Sequence, residues 1–136
     1  MKNLTLFFVF GFLLLLTFSC GAQPEKSAGK PAVQGSEQVA VYYFHFTRRC
    51  ITCQAIESQS RQIISELYGD QVSFNAFNLD ENDGAVKGKE LDISGQTLLI
   101  VRGDTKINLT SEGFMYARND PEKFKKILKE RIDKML

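Results

Sequence analysis

The residues that decide the fold run from Gln38 to Cys53 and read QVAVYYFHFTRRCITC. The first nine are β-branched, aromatic and almost continuously apolar, which is typical of a strand that is buried on both faces. From Cys50 the pattern changes to a helical period, in which Ile56, Ile63 and Leu67 fall on one stripe. The sequence therefore predicts a buried strand, a short polar loop and a helix that starts at Cys50.

Strand character returns three times further along the chain. It is seen over residues 71–79, 96–101 and 106–110, where β-branched, aromatic and other apolar residues predominate. The sequence Arg-Gly-Asp at 102–104 separates the last two segments and is expected to form a turn. The second half of the chain is therefore predicted to contain a strand followed by a hairpin.

Helices are expected between and after these strands. A short one is predicted around residues 84–90, and a longer C-terminal one begins at the Asp120 N-cap, with Pro121 at its first position. Residues 113–117 are expected to form a kink or a short extension. The predicted order is β-α-β-α-β-β-α, which indicates an α/β domain over residues 38–136 with a central mixed sheet flanked by helices.

Composition excludes several functional classes. The chain has 136 residues, enough for one domain. Seventeen Lys and Arg oppose sixteen Asp and Glu, and a net charge of +1 offers no electrostatic basis for binding nucleic acid. A single His, His45, rules out a His-rich metal site, and the pair Cys50 and Cys53 provides only two of the four ligands that a closed zinc site needs. We therefore predict no metal centre and no nucleic-acid partner.

The N-terminus is predicted to be a targeting segment. Residues 4–18, LTLFFVFGFLLLLTF, would span about 22 Å as a helix, which is short of the ~30 Å hydrocarbon core of a bilayer. The sequence Ser-Cys-Gly at 19–21 resembles the lipobox of bacterial lipoprotein signal peptides, in which the Cys becomes the lipidated N-terminus. We expect a signal peptide over 1–19 and lipidation of Cys20. Cleavage after Ala22 and an uncleaved anchor are the alternatives.

Residues 20–37 are expected to form a flexible tether. From residue 21 onward this segment holds two of the three prolines and three glycines, with hardly any large apolar residue. The domain would then be exported and held at a membrane of the bacterial cell envelope, on the periplasmic side, by its lipid anchor. Disulfides form in such a compartment. If Cys20 carries lipid, Cys50 and Cys53 are left as a Cys-x-x-Cys pair without an odd thiol.

The Cys-x-x-Cys pair lies where thiol chemistry is favoured. Cys50 is predicted at the start of a helix, where unpaired backbone N–H groups and the helix dipole favour a thiolate. Arg48 and Arg49 add positive charge beside it. Cys53, one turn further on, is expected to be more buried and to act as the resolving thiol. The pair is thus predicted to exchange disulfides, with Cys50 as the nucleophile.

The strand, Cys-x-x-Cys helix, strand, helix, hairpin and C-terminal helix together resemble the thioredoxin family. Asn-Leu-Asp at 78–80 resembles the strand end of that family, and Thr97 to Ile100 resembles the strand that follows its cis-proline. The active site here reads Arg-Cys-Ile-Thr-Cys, and Gln96 takes the place of the cis-proline. A trans bond is expected there, because a cis bond to a residue other than proline costs about 3 kcal/mol. Phe44 takes the place of the family's buried acid.

This resemblance implies a thiol-disulfide oxidoreductase whose dithiol is the redox centre, so no cofactor is required. Gln96 and Thr97 would border the substrate groove, and Arg49 and Arg48 would tune the thiolate or the groove. The partners would be thiols or disulfides of exported proteins, or a membrane electron donor. The alternative is a non-catalytic thioredoxin-like binding module, in which the Cys pair forms a structural disulfide or binds a metal.

Overall fold

The computed structural model describes residues 38–136. The predicted signal peptide over 1–19, the lipidation site Cys20 and the tether over 20–37 lie outside the described residues, and they stay predictions. Between residues 38 and 136, none of the helices combines the length and the apolar character that crossing a bilayer requires.

A four-stranded mixed sheet forms the centre of the domain. Its strands are β1 (Val39–His45), β2 (Val72–Asn78), β3 (Thr97–Arg102) and β4 (Thr105–Asn108). Their spatial order is β2-β1-β3-β4, and β1 runs parallel to β2 whereas the other two pairs are antiparallel. The predicted mixed sheet and closing hairpin are therefore confirmed.

Four helices accompany the sheet. They are α1 (Ile51–Tyr68), α2 (Asn82–Glu90), α3 (Thr110–Tyr116) and α4 (Pro121–Asp133). A short 3-10 turn, Gly69–Gln71, leads from α1 into β2. The fold class is α/β with a mixed sheet flanked by helices, as the order of sequence patterns predicted.

The expectation of a kink or extension over residues 113–117 was wrong, because α3 occupies most of this segment. The Asn108 side chain supports its start, since Oδ1 accepts a hydrogen bond from the Thr110 amide at 2.9 Å. Gly113 weakens the helical signal in the sequence. In the fold, Gly113 lies against Ile56 of α1, where a Cβ atom would come within 3.3 Å of the Ile56 side chain. Tertiary packing therefore favours a helix that local propensity does not reveal.

Strand β1 lies between β2 and β3 in the sheet, and apolar clusters cover both of its faces. Val41 and Tyr43 belong to the larger apolar cluster, which also contains residues of α1 and α4. Phe44 belongs to a second cluster on the other face, and its ring stacks on Phe77 with 5.6 Å between centroids. This position explains why the strand reads as an unbroken apolar run.

The connection through α1 places the carboxyl ends of β1 and β2 at one edge of the sheet, since the two strands are parallel and His45 pairs with Asn78. Strand β3 runs the other way, and Thr97 at its start pairs with Phe44 near the end of β1. The loop that leads to Cys50, the end of β2 and the start of β3 therefore meet at this edge.

Replacing Gly84 by Ala tests how closely α2 packs on the end of β2. A Cβ atom at Gly84 would lie 1.9 Å from the Asn78 carbonyl oxygen. We expect Gly84→Ala to lower the free energy of unfolding by about 1–3 kcal/mol, because the backbone must move apart although Ala is the better helix former. Urea unfolding measures the change. Gly95→Ala is the control, because a Cβ atom there meets nothing within 4 Å. Equal stability of Gly84→Ala and the wild type would contradict this packing.

Candidate functional site

The loop between β1 and α1 is held by the end of β2. The Thr47 amide donates a hydrogen bond to Asp80 Oδ2 at 2.8 Å, and Asn78 Nδ2 donates one to Thr47 Oγ1 at 3.0 Å. The Leu79 amide continues the strand pairing with a bond to the His45 carbonyl at 2.7 Å. The bond from Thr47 keeps the pKa of Asp80 below its ordinary value, so this carboxylate is ionised at neutral pH. The Asn-Leu-Asp segment therefore fixes the approach to Cys50.

The two cysteines differ sharply in exposure. Cys50 is the exposed N-cap residue of α1, and its Sγ accepts a hydrogen bond from the Cys53 amide at 3.3 Å. Cys53 lies in the first turn and is only 2% exposed. Both are free thiols in this structure. The predicted helix start at Cys50 and the deeper position of Cys53 are confirmed.

Hydrogen bonds at the helix start lower the pKa of the Cys50 thiol below its ordinary value. The largest cause is a hydrogen bond from the Cys53 side chain, followed by the bond from the Cys53 amide. Desolvation acts in the opposite direction and is outweighed. A sulfur that caps a helix in this way is a better acceptor as a thiolate than as a thiol. Cys50 therefore has the surroundings of a nucleophile.

Arg49 forms an ion pair with Glu57, so its charge is not directed at Cys50 alone. Its Nη1 donates a hydrogen bond to Glu57 Oε2, and Arg61 Nη2 reaches the other carboxylate oxygen at 3.2 Å. Burial raises the pKa of Glu57, but the hydrogen bonds from Arg61 and Arg49 outweigh it and leave that pKa lowered. Arg48 is exposed. Tuning of the thiolate by Arg48 and Arg49 stays a prediction, since the leading causes of the low Cys50 pKa come from Cys53.

Gln96 and Thr97 lie at the sheet edge that carries the cysteines. The peptide bonds of the described residues are all trans, so the bond before Gln96 is trans, as expected. Gln96 is half-buried, whereas Thr97 is buried and its Oγ1 donates a hydrogen bond to the Gly95 carbonyl at 3.0 Å. The structure thus places Thr97, and Gln96 before it, at the start of β3, and their role at a substrate groove stays a prediction.

A tyrosine that sequence reasoning did not single out, Tyr43, lies beside Cys53. The Tyr43 side chain is fully buried, and its hydroxyl interacts with the Cys53 thiol. The resemblance put Phe44 in the position of the family's buried acid, which would lie beside Cys53. This expectation was wrong, because Phe44 lies on the opposite face of the sheet and packs in the second cluster with Leu91. Alternation of side chains along a strand was the available signal. It groups Tyr43 with His45, and their rings lie 5.8 Å apart.

Acidic, cysteine and histidine side chains are dispersed over the rest of the domain. Within residues 38–136 they form no group of three or more that could hold a metal ion.

Replacing Glu57 by Gln tests the ion pairs beside the cysteines. We expect the free energy of unfolding at pH 7 to fall, because the ion pairs with Arg49 and Arg61 are lost. The fall should be only about 1 kcal/mol, because solvent partly screens this carboxylate. The folded-state pKa of Glu57 is lowered, so its stabilisation is present above the unfolded value of about 4.3 and is lost as the pH falls through the folded value. Urea unfolding should therefore show the two proteins converging in stability as the pH is lowered from 7 to 3.

The control for this change is Asp104→Asn, which removes an exposed carboxylate from the β3–β4 turn. Its effect at pH 7 should lie within about 0.5 kcal/mol of zero. A constant difference between Glu57→Gln and the wild type from pH 7 to pH 3 would contradict the assignment.

Comparisons with known proteins support the fold. No protein-family model and no curated protein sequence matches the chain. Among solved structures, Trxlp from Edwardsiella tarda aligns with a TM-score of 0.50 and 14% identity, over 69% of this chain and 84% of that one. Thioredoxin O2 from Arabidopsis thaliana, in the oxidized state, aligns with a TM-score of 0.48 and 19% identity, over 69% and 75%. With its mixed sheet and the Cys-x-x-Cys pair at the start of α1, the chain has a thioredoxin-like fold.

Proposed function

We propose that this protein is a thiol-disulfide oxidoreductase in which Cys50 attacks and Cys53 resolves. The observation that supports this most directly is the asymmetry of the pair. Cys50 is exposed and its pKa is lowered, whereas Cys53 is buried and its backbone amide donates a hydrogen bond to the Cys50 sulfur. An exposed, activated thiol and a shielded partner three residues away are what a two-step disulfide exchange needs.

The proposed reaction has two steps. The Cys50 thiolate attacks one sulfur of a substrate disulfide, forms a mixed disulfide and expels the other sulfur as a thiolate. Cys53 then loses its proton to solvent and attacks the Cys50 sulfur, which releases the second substrate thiolate. The substrate gains two electrons and the Cys50–Cys53 pair is oxidised to a disulfide. In the opposite direction the same steps oxidise a substrate dithiol.

The proposed setting is the bacterial cell envelope. The apolar segment over 4–18, the lipobox-like sequence at 19–21 and the Pro- and Gly-containing stretch over 21–37 support an exported domain that is anchored through Cys20. Its partners would be thiols or disulfides of exported proteins, or a membrane electron donor. The dithiol itself is the redox centre, so the proposal requires no cofactor.

Alkylation of the reduced Cys20→Ser protein with iodoacetamide at pH 6 tests the nucleophile. We expect Cys50 to react several-fold faster than glutathione and ahead of Cys53. Each unit by which the pKa falls raises the thiolate fraction about tenfold, while nucleophilicity falls only about threefold. Peptide mass spectrometry locates the modified residue. Reaction of both cysteines at or below the rate of glutathione would favour the non-catalytic binding module.

Replacing Cys53 by Ala tests turnover on proteins. Without the resolving thiol, the mixed disulfide between Cys50 and its substrate cannot be released. We expect the full chain with Cys53→Ala to accumulate covalent complexes in the cell envelope, which non-reducing gels detect and mass spectrometry identifies. The matched control combines Cys53→Ala with Cys50→Ala, so that complexes through any other thiol remain. Equal complexes in both variants would argue against exchange by Cys50.

A further inference from the structure

One buried polar group of the site is left without a use by the two-step exchange. The Tyr43 side chain has an exposed fraction of 0%, and its hydroxyl has no hydrogen-bond partner of full geometry among the described residues. Buried hydroxyls are nearly always hydrogen-bonded, because an unpaired one costs free energy. The Tyr43 hydroxyl is an exception, and it lies near the Cys53 thiol, which must ionise during the reaction. This suggests that the hydroxyl gains its hydrogen-bond partner only when that thiol is ionised.

The group that the Tyr43 hydroxyl approaches is the Cys53 thiol. Burial is the largest cause that raises the pKa of Tyr43, and the second is the charge of Cys53, with which Tyr43 also shares a loose hydrogen-bonding contact. The charge of Arg49 lowers the pKa of Tyr43, and the charge of Cys50 raises it. Tyr43 is therefore a neutral phenol at neutral pH, which makes its hydroxyl a donor and not a base.

The remaining charged and titratable groups near this contact do not replace Tyr43. His45, on the same face of β1, has its ring 5.8 Å from that of Tyr43, and its Nδ1 lies 3.1 Å from the Phe46 carbonyl oxygen. Glu57 of α1 is already paired with Arg49 and Arg61. A carboxylate would in any case repel a thiolate, so the Tyr43 hydroxyl is the neutral donor that faces Cys53.

We propose that the Tyr43 hydroxyl donates a hydrogen bond to the Cys53 sulfur when that thiol ionises, and so stabilises the resolving thiolate. This inference rests on the proposed function. In the mixed disulfide, the Cys53 proton passes to solvent and the hydroxyl turns toward the sulfur. The Cys53 thiolate then attacks Cys50 Sγ, the new S–S bond forms and the substrate sulfur leaves as a thiolate. Tyr43 keeps its proton throughout.

The first measurement isolates Cys53. In the full chain with Cys20→Ser and Cys50→Ser, Cys53 is the sole thiol, and Ser retains an N-cap acceptor. Thiolate absorbance near 240 nm is followed against pH, with a variant that also carries Cys53→Ser as the blank. Adding Tyr43→Phe should raise the pKa of Cys53 by about one unit, since a hydrogen bond to a charged group is lost. An unchanged pKa would overturn the proposal.

The second measurement separates the two steps of exchange. In the Cys20→Ser background, a chromogenic aromatic disulfide releases one coloured thiolate when Cys50 attacks and a second when Cys53 resolves. With Tyr43→Phe we expect the first phase to be unchanged and the second to slow about tenfold at pH 7. Equal second phases would overturn the proposal, whereas absence of the first phase in the wild type would instead refute the proposed function.

Tyr42→Phe is the matched control for both measurements. Tyr42 is the adjacent residue of β1, but its ring lies on the other face of the sheet, 5.9 Å from that of Phe77. The Tyr42→Phe variant also loses a phenol hydroxyl, but this hydroxyl is remote from the cysteines. Neither the pKa of Cys53 nor the rate of the second phase of thiolate release should therefore change. Tyr43→Phe retains the buried ring, and circular dichroism with thermal unfolding verifies the fold of each variant. An equal shift in both variants would mean that the effect is structural and would overturn the proposal.

Discussion

The parallel pairing of β1 with β2 is the constraint on which the site depends. It ends both strands at one edge, with His45 opposite Asn78, and lets Asn78 and Asp80 bind the loop at Thr47. That loop delivers Cys50 to the start of α1. A loop that leads to a reactive group gains precision when it is fixed by side chains of a rigid strand end, because the position of the sulfur then follows from the sheet.

The electrostatics of the pair come from the helix more than from nearby arginines. The Cys53 amide donates a hydrogen bond to Cys50 Sγ, and interaction with the Cys53 side chain lowers the pKa of Cys50 further, whereas the Arg49 guanidinium is bound by Glu57. Hydrogen bonds at this short range are little affected by salt, in contrast to the attraction of exposed charges. The lowered pKa of Cys50 should therefore depend little on ionic strength.

Two adjacent tyrosines of β1 lie on opposite faces of the sheet and have different surroundings. Tyr42 contributes to the aromatic cluster on the α2 side of the sheet, while Tyr43 lies under the cysteines. The chemical difference between them is one of surroundings, since both carry the same phenol. Burying a hydroxyl that lacks a full hydrogen bond lowers stability, and structures tolerate such groups where a reaction uses them.

The sequence by itself determined the order of the four strands and of three of the four helices, the helix start at Cys50 and the depth of Cys53, because these follow from periodicity and from spacing along one chain. The helix over Thr110–Tyr116 was not predicted, because Gly113 weakens the helical signal in the sequence. In the fold, packing of Gly113 against Ile56 favours the helix. Only the tertiary structure decided that Tyr43 rather than Phe44 faces Cys53 and that Glu57 binds Arg49. Which face of β1 meets α1 depends on the path of the intervening loop, and that path is set by contacts with residues more than 30 positions away.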